Sequence, residues 1–155
     1  HLRERLSFYE DGSFPLNAMY GLAAKIDRAL AKKVWLNSGA YLVIEPTEAC
    51  TVIDVNTGKA VKKGKDIEKH FLNINCEAAG EAMRQISLRN LAGIIIIDFI
   101  DMKSKDDNKR LMELLAELAS NDPVKTTVVD MTALGLVELT RKKVHKPLHE
   151  MLERV

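Results

Sequence analysis

The sequence has few aromatic residues, few cysteines and no long hydrophobic run. Aromatic side chains make up only 5% of the chain, and its two cysteines, Cys50 and Cys76, stand far apart and form no CxxC pair. This spacing indicates neither a disulfide framework nor a zinc site, and it fits a reducing cytoplasm. No apolar run approaches the length of a membrane span, and no charged-then-apolar leader opens the chain. We therefore expect a cytoplasmic protein without a membrane span.

An excess of charge of one sign is also missing. The 23 basic residues nearly balance the 22 acidic ones, so the formal net charge is +1. A protein that is held to nucleic acid mainly through phosphate contacts is usually strongly basic. If RNA is the partner, local basic clusters or other parts of a longer protein must therefore hold it.

The chain is instead rich in aliphatic residues, and hydrophobic residues make up 46% of its 155 positions. A chain of this length forms about one domain and buries roughly two-thirds of its unfolded surface, so we expect an aliphatic core and little disorder. The chain begins at His1 without an initiator Met and stops within a helical-looking stretch at 149–155. We therefore expect it to be a piece of a longer protein.

Apolar residues at steps of three and four predict several helices. One helix is predicted over 17–32 and a long amphipathic one over 66–89, with Asp66 as its N-cap. A further amphipathic helix begins at Ser104 or Lys105, and the tail from residue 140 looks helical.

Short β-type runs predict the strands, which are expected at 34–36, 41–45, 50–55, 93–98, 126–131 and 136–139. The first three are separated by turn residues, so we expect three adjacent antiparallel strands. The run at 93–98 is almost wholly β-branched, which is typical of a strand buried on both faces. This order of elements predicts an α/β fold with a mixed β-sheet and flanking helices.

Acidic residues stand where two hydrophobic strands end. Strand alternation puts Asp54 and Asn56 on one face, and Asp98 follows four isoleucines. A carboxylate that close to a core is costly unless a cation, an ion pair or hydrogen bonds meet it. If the two strands are neighbours, the carboxylates converge, and two aspartates with an amide suit Mg²⁺. On spacing alone, however, a strand-end aspartate is more often a helix cap or a turn former.

A loop rich in glycine and lysine follows Asn56 and contains Lys59, Lys62, Lys63 and Lys65. Glycines let the backbone approach a phosphate and lysines supply charge, so the loop could hold RNA beside Asp54. The alternative is a loop that is simply solvated.

Other residues have structural interpretations that we favour over functional ones. Asp101 is expected to cap the following helix rather than to bind metal. His145 and His149 share a predicted helix face without an HExxH glutamate, which indicates a solvated pair. Trp35 and Tyr41 are expected to be partly buried in the core, since base stacking needs exposed rings. A helix surface is the favoured place for the basic cluster of Arg141, Lys142, Lys143 and Lys146.

Five blocks of the sequence, taken together, resemble the ribonuclease E/G family. They are SGAYLVIEPTEA at 38–49, TVIDVN at 51–56, NCEAA at 75–79, GIIIIDFIDM at 93–102 and LGLVELTRK at 134–142. The blocks run in the family's order, and the resemblance covers about residues 34 to 143. The resemblance implies a DNase I-like catalytic subdomain over 34–155, preceded at 1–33 by the end of an RNase H-like subdomain.

The resemblance also implies roles for particular residues. Asp54 and Asp98 match the aspartates that coordinate magnesium in the family, and Asn56 matches the asparagine that supports the site. Arg89 falls at the matching basic position after the long helix, while Lys125 stands where an arginine would give a bidentate phosphate contact. The S1 domain, the 5′-monophosphate sensor and the zinc-linking cysteine motif of the family are expected outside this chain.

The leading hypothesis is therefore a magnesium-dependent endoribonuclease that hydrolyses single-stranded RNA in rRNA processing and mRNA decay, here as a fragment with reduced activity. Its longer parent is expected to be a homo-oligomer. In this hypothesis Arg89 and Lys125 neutralise phosphate charge. One alternative is a non-catalytic RNA-docking or assembly module. Another is a receiver-like or phosphatase-like domain that uses Asp98 with Lys125.

Overall fold

The structure, a computed structural model, describes residues 3–59 and 67–152. The chain divides into two compact units, His1–Ala31 and Lys32–Val155. The subdomain families expected for residues 1–33 and 34–155 stay predictions.

The first unit is built from short helices: a 3-10 helix at Arg3–Arg5, α1 at Leu16–Met19 and α2 at Leu22–Leu30. The single helix predicted over 17–32 was wrong because Gly21 interrupts it. Gly21 has a φ of +57°, in the left-handed region that glycine adopts without steric cost, and it is the N-cap of α2.

The second unit contains a six-stranded sheet, whose strands are β1 at Lys33–Trp35, β2 at Tyr41–Pro46, β3 at Cys50–Asn56, β4 at Gly93–Asp98, β5 at Thr126–Met131 and β6 at Leu136–Arg141. Their order across the sheet is β1-β2-β3-β4-β6-β5. Neighbouring strands are antiparallel except β3 and β4, which run parallel. The predicted α/β fold with a mixed sheet is confirmed, as are the three adjacent antiparallel strands at its start.

The helices of this unit are α3 at Ile67–Leu88, α4 at Lys105–Ser120 and α5 at Leu148–Leu152. The Ser104 side chain caps α4 by accepting a hydrogen bond of 3.2 Å from the backbone N–H of Asp107. Asp66, the predicted cap of the preceding helix, lies outside the described residues. None of the helices within 3–59 and 67–152 is both long enough and apolar enough to cross a membrane.

The core lies on one face of the sheet. There α3 and α4 pack against each other and against the strands, and Ile95 and Ile97 of β4 are fully buried. Ile94 points the other way and is 52% exposed. The prediction that 93–98 is buried on both faces was therefore wrong, because both covering helices lie on the same side. We call the other side the open face; its residues include Lys33, Trp35, Tyr41, Asp54, Asn56, Ile94 and Asp98.

The end of the chain is less helical than its sequence predicts. Thr140 and Arg141 still belong to β6, where they pair with the neighbouring strands, so the helix predicted from residue 140 was wrong. Of residues 140–152, only Leu148–Leu152 are helical. His145 therefore lies outside the helix, and the predicted helix face shared with His149 does not form.

Candidate active site

Asp54 and Asp98 lie directly opposite each other at the carboxyl ends of adjacent strands. In the parallel pairing of β3 with β4, Ile53 is opposite Ile97 and Asp54 is opposite Asp98. Because both isoleucines are fully buried, strand alternation sends both aspartates to the open face. Neighbouring strands are about 4.8 Å apart, so the structure brings the two carboxylates together.

The charges at this point are not compensated by basic residues in the described part of the chain. Neither Asp54 nor Asp98 forms an ion pair there. Partial burial raises the pKa of Asp98, and the negative charges of Asp54 and Asp101 raise it further. Ser104 is the cap of α4, so the capping role predicted for Asp101 was wrong. Asp101 instead adds a third negative charge near the pair.

Asn56 holds Asp54 in a defined orientation. Its amide Nδ2 donates a hydrogen bond of 2.6 Å to Oδ2 of Asp54, and both side chains are partly buried. The two residues are neighbours on the open face because they are two positions apart in β3. Three of the predicted site residues, Asp54, Asn56 and Asp98, are therefore close together.

A buried asparagine that the sequence analysis did not select supports the segment after Asp98. Asn75 of α3 is fully buried, and its amide donates to the carbonyl of Ile100 at 2.8 Å and accepts from the N–H of Ile100 at 3.0 Å. Two hydrogen bonds to one residue fix the backbone just beyond the strand end. The signal in the sequence was a polar residue beside Ile74, on a helix face whose next buried positions are the apolar Ala78, Ala79 and Ala82.

The donor atoms at this end of the sheet suit a hard divalent cation. Within residues 3–59 and 67–152 no group of three or more His, Cys, Asp or Glu side chains is arranged to hold a metal ion. An ion at this site would therefore have Asp54 and Asp98 as its carboxylate ligands, and water or phosphate would fill the remaining positions. Mg²⁺ commonly has this environment, since it keeps several waters and needs only one or two carboxylates.

Arg89 and Lys125 lie at the other end of β4. Arg89 follows α3, four residues before that strand begins, and its buried guanidinium donates to Oε1 of Gln85 at 2.7 Å. Lys125 precedes β5, which is paired through β6 with the amino end of β4. Five strand steps of about 3.3 Å separate that end from Asp98, or roughly 16 Å. The structure does not bring these cations to the acidic pair, and this separation argues against a site that combines Asp98 with Lys125.

The basic cluster at 141–146 is not simply a solvated surface, as its first member shows. Arg141 is buried and forms an ion pair with Asp122, in which Nε lies 2.7 Å from Oδ2 and both side chains are only 2% exposed. The guanidinium also donates to Oδ1 of Asn90 and to the carbonyl of Leu91. For Arg141 the predicted helix surface was therefore wrong, because a buried carboxylate draws it into the sheet.

The lysine-rich loop begins beside the acidic pair. Lys59 is exposed, while Lys62, Lys63 and Lys65 lie outside the described residues. Gly58 has a φ of +53°, and a Cβ there would lie 2.5 Å from the carbonyl oxygen of Gly39 and 3.2 Å from the Tyr41 ring. Only glycine fits this approach, so the start of the loop is held against Tyr41.

Trp35 is also on the open face, where it is 60% exposed. The prediction of partial core burial was wrong for this residue, because β1 is a three-residue edge strand and the core lies on the other side of the sheet.

Comparisons with known proteins relate the chain to one family. The family model described as the Ribonuclease E/G family matches residues 1–144. Ribonuclease G of Haemophilus influenzae is 44% identical over 151 residues, which are 97% of this chain and 30% of that protein. Ribonuclease G of Escherichia coli strain K12 is 44% identical over 141 residues, 91% of this chain and 29% of that protein. Ribonuclease E of a Nostoc species is 43% identical over 137 residues, 88% of this chain and 20% of that protein.

The fold and the site define an α/β protein with paired aspartates at the carboxyl ends of two parallel strands. The chain belongs to the Ribonuclease E/G family, and the resemblance found in the sequence blocks is confirmed. It spans about 30% of the length of the Ribonuclease G relatives that it matches.

Proposed function

We propose that this chain provides the catalytic centre of a magnesium-dependent endoribonuclease that hydrolyses single-stranded RNA. The observation that carries the proposal is the direct pairing of Asp54 with Asp98 in a family whose relatives are named Ribonuclease G and Ribonuclease E. Like charges held side by side without a basic partner in the described residues favour a bound cation. In the whole protein this activity would serve rRNA processing and mRNA decay.

In this proposal Asp54 and Asp98 are the ligands of one Mg²⁺ ion, and Asn56 orients Asp54 through its 2.6 Å hydrogen bond. When bound, the ion supplies positive charge for the phosphate and lowers the pKa of the attacking water. The water oxygen forms a bond to phosphorus as the bond from phosphorus to the ribose 3′ oxygen breaks. The water gives up a proton and the departing 3′ oxygen gains one, so the upstream product ends in a 3′ hydroxyl. The downstream product keeps the phosphate at its 5′ end.

Lys59 is the described residue to which we assign phosphate binding, because it follows Asn56 by three positions and is exposed. The same role is proposed for the other loop lysines, Lys62, Lys63 and Lys65, from their places in the sequence alone. Arg89 and Lys125 are left out of the contacts to the reacting phosphate because β4 separates them from Asp98. A loop cation adjacent to the carboxylates would attract the RNA backbone without touching the bases.

The test is cleavage of a short 5′-monophosphorylated single-stranded RNA by a protein of the relatives' full length that carries this sequence. We expect Asp54→Asn and Asp98→Asn each to lower the rate at least about 100-fold. Even residues that only orient metal ligands are worth about 10- to 100-fold in activity. Asp130→Asn is the matched control. Asp130 is exposed and lies on β5, the edge strand beyond β6.

Undiminished cleavage by either folded variant would remove the site from the mechanism. In that case the non-catalytic RNA-docking or assembly module becomes the better interpretation. Equal losses in Asp130→Asn would show a general charge effect rather than loss of a ligand.

A further inference from the structure

Two aromatic rings lie close together on the open face, at the edge of the sheet formed by β1 and β2. Trp35 is directly opposite Tyr41 in the strand pairing, and their ring centroids are 5.1 Å apart with an angle of 60° between the planes. Trp35 is 60% exposed. The indole is therefore accessible to a ligand on this face.

A cation is held against both rings. The Nζ atom of Lys33 lies 3.5 Å from the ring centroid of Tyr41 and 4.1 Å from that of Trp35, which is within cation–π distance. Within the described ranges Lys33 forms no ion pair, whereas its neighbour Lys32 pairs with Glu45 at 2.5 Å. The charge of Lys33 is therefore available to a polyanion that approaches the rings.

The strand pairing places this cluster beside the acidic pair. Tyr41 is opposite Asn56, and the next pair on the same face of the sheet joins Val43 to Asp54. Two strand spacings, about 10 Å, separate β1 from β3. The rings and the carboxylates thus share one face, at a separation that a short stretch of single-stranded RNA can cover.

The lysine-rich loop begins next to Tyr41. Gly58 contacts the ring of Tyr41, and the exposed Lys59 follows it directly. Lys59, the chain neighbour of Gly58, is therefore a second lysine close to Tyr41, in addition to Lys33, which lies over both rings. A stable protein interface buries about 800 Å² on each partner, whereas this patch is a pair of rings beside lysines that form no ion pair within the described ranges. Such a patch suits a polyanion with exposed bases better.

We propose that Lys33, Trp35 and Tyr41 form a nucleotide subsite for single-stranded RNA, with a base stacked on Trp35 and a backbone phosphate near Lys33. This subsite rests on the proposed nuclease function, for which it would hold the strand next to the reacting phosphate. Stacking tolerates any base because every base has a π face, so the subsite is expected to select unpaired RNA without strong sequence preference.

Trp35 is the only tryptophan in the chain, which makes the proposal directly measurable. Titration of this chain with single-stranded oligoadenylate, in the absence of divalent ions so that no cleavage occurs, should quench the tryptophan fluorescence. The same strand annealed to oligouridylate should quench it much less, since its bases are already stacked. Asp98→Asn should be quenched like the wild type, because no metal takes part.

Binding of fluorescently labelled oligoadenylate, followed by anisotropy, separates the contributions. Trp35→Ala should weaken binding about 5- to 150-fold, and Trp35→Phe should keep much of the affinity. Lys33→Gln should weaken binding and lower the slope of log K against log salt by about one. Leu134→Ala is the control and should bind like the wild type, because Leu134 is an exposed apolar residue between β5 and β6, at the opposite edge of the sheet.

Several results would overturn the subsite. These are equal quenching by duplex and single strand, Trp35→Ala binding within twofold of the wild type, or a fluorescence change that follows protein concentration alone and so reports self-association. Such a result with metal-dependent cleavage intact removes only the subsite. Normal quenching together with undiminished cleavage by Asp98→Asn removes the proposed function and leaves the subsite.

Discussion

The carboxylates near the two ends of β4 have opposite environments. At the carboxyl end, Asp98 lies beside Asp54, a like charge, and is exposed to solvent. Near the amino end, the Asp122 carboxylate is buried and is bound by the guanidinium of Arg141. Hydrogen bonds from Arg141, from the N–H of Val124 and from the hydroxyl of Thr126 lower the pKa of Asp122, although burial alone would raise it.

The charge of Asp122 therefore stabilises the fold, whereas the charge of Asp98 is exposed and accessible to a ligand. A buried carboxylate is tolerated only with its partner, and Asp122 is already bound by Arg141, so its charge serves the fold. The Asp98 end keeps a repulsion that no described residue relieves, and a divalent cation is the partner that would relieve it.

Removal of the buried charge should have the largest effect on stability. Asp122→Asn should lower the free energy of unfolding by about 3–5 kcal/mol, because it leaves Arg141 buried without its counter-charge. Urea unfolding measures the loss. Asp130→Asn, which changes an exposed aspartate, should cost under about 1 kcal/mol. Similar losses for the two variants would contradict the structural role of the ion pair.

Acid should remove the contribution of the Asp122 charge to the free energy of unfolding. The folded-state pKa of Asp122 is lowered from its value in the unfolded chain, which is about 3.9 for aspartate. Its stabilisation is therefore fully present above about pH 4 and is lost as the pH falls through the folded-state pKa. The difference in unfolding free energy between the wild type and Asp122→Asn should narrow in that range. A difference that stays constant from pH 7 to pH 2 would show that the carboxylate charge does not matter.

The hydrogen bonds of Asn75 should have an intermediate effect. Asn75→Ala leaves the buried N–H and carbonyl of Ile100 without their partner, at a cost of about 1–3 kcal/mol. Because these bonds fix the backbone after Asp98, cleavage should also fall, while quenching of Trp35 by RNA should not change. A variant that loses stability yet cleaves at the wild-type rate would limit Asn75 to the fold.

The smallest effect on stability is expected for Asp98, which forms no ion pair with the described residues. Asp98→Asn removes a repulsion with Asp54 and Asp101, so the free energy of unfolding without metal should stay the same or rise by up to about 1 kcal/mol. Thermal unfolding in the presence of a chelator measures this change in the free energy of unfolding, with Asp130→Asn as the control. A clear loss of stability would mean that Asp98 has a structural partner.

The main features of the fold and of the acidic site could be predicted because local patterns determine them. Four isoleucines before Asp98 indicated a strand, and alternation placed Asp54 with Asn56. The sequence could not show that the helices cover only one face of the sheet, since burial of β4 depends on where distant helices pack. For the same reason the exposure of Trp35 was missed.

The position of Arg89 could have been predicted but was not. A helix that connects two parallel strands returns to the start of the second strand, so its last residues lie at the amino end. Arg89 follows α3 and must therefore lie far from Asp98, which is at the carboxyl end of β4. The buried place of Arg141 was less accessible, because it depends on Asp122 nineteen residues earlier in the chain.

The binding of Mn²⁺ to this chain is the direct test of whether Asp54 and Asp98 hold a divalent ion. Bound Mn²⁺ is measured by the loss of the EPR signal of the free ion. The wild type and Asp130→Asn should bind one ion in competition with Mg²⁺, and Asp54→Asn and Asp98→Asn should each bind at least about tenfold more weakly. Equal binding by all four proteins, or none by the wild type, would show that Asp54 and Asp98 do not hold a divalent ion.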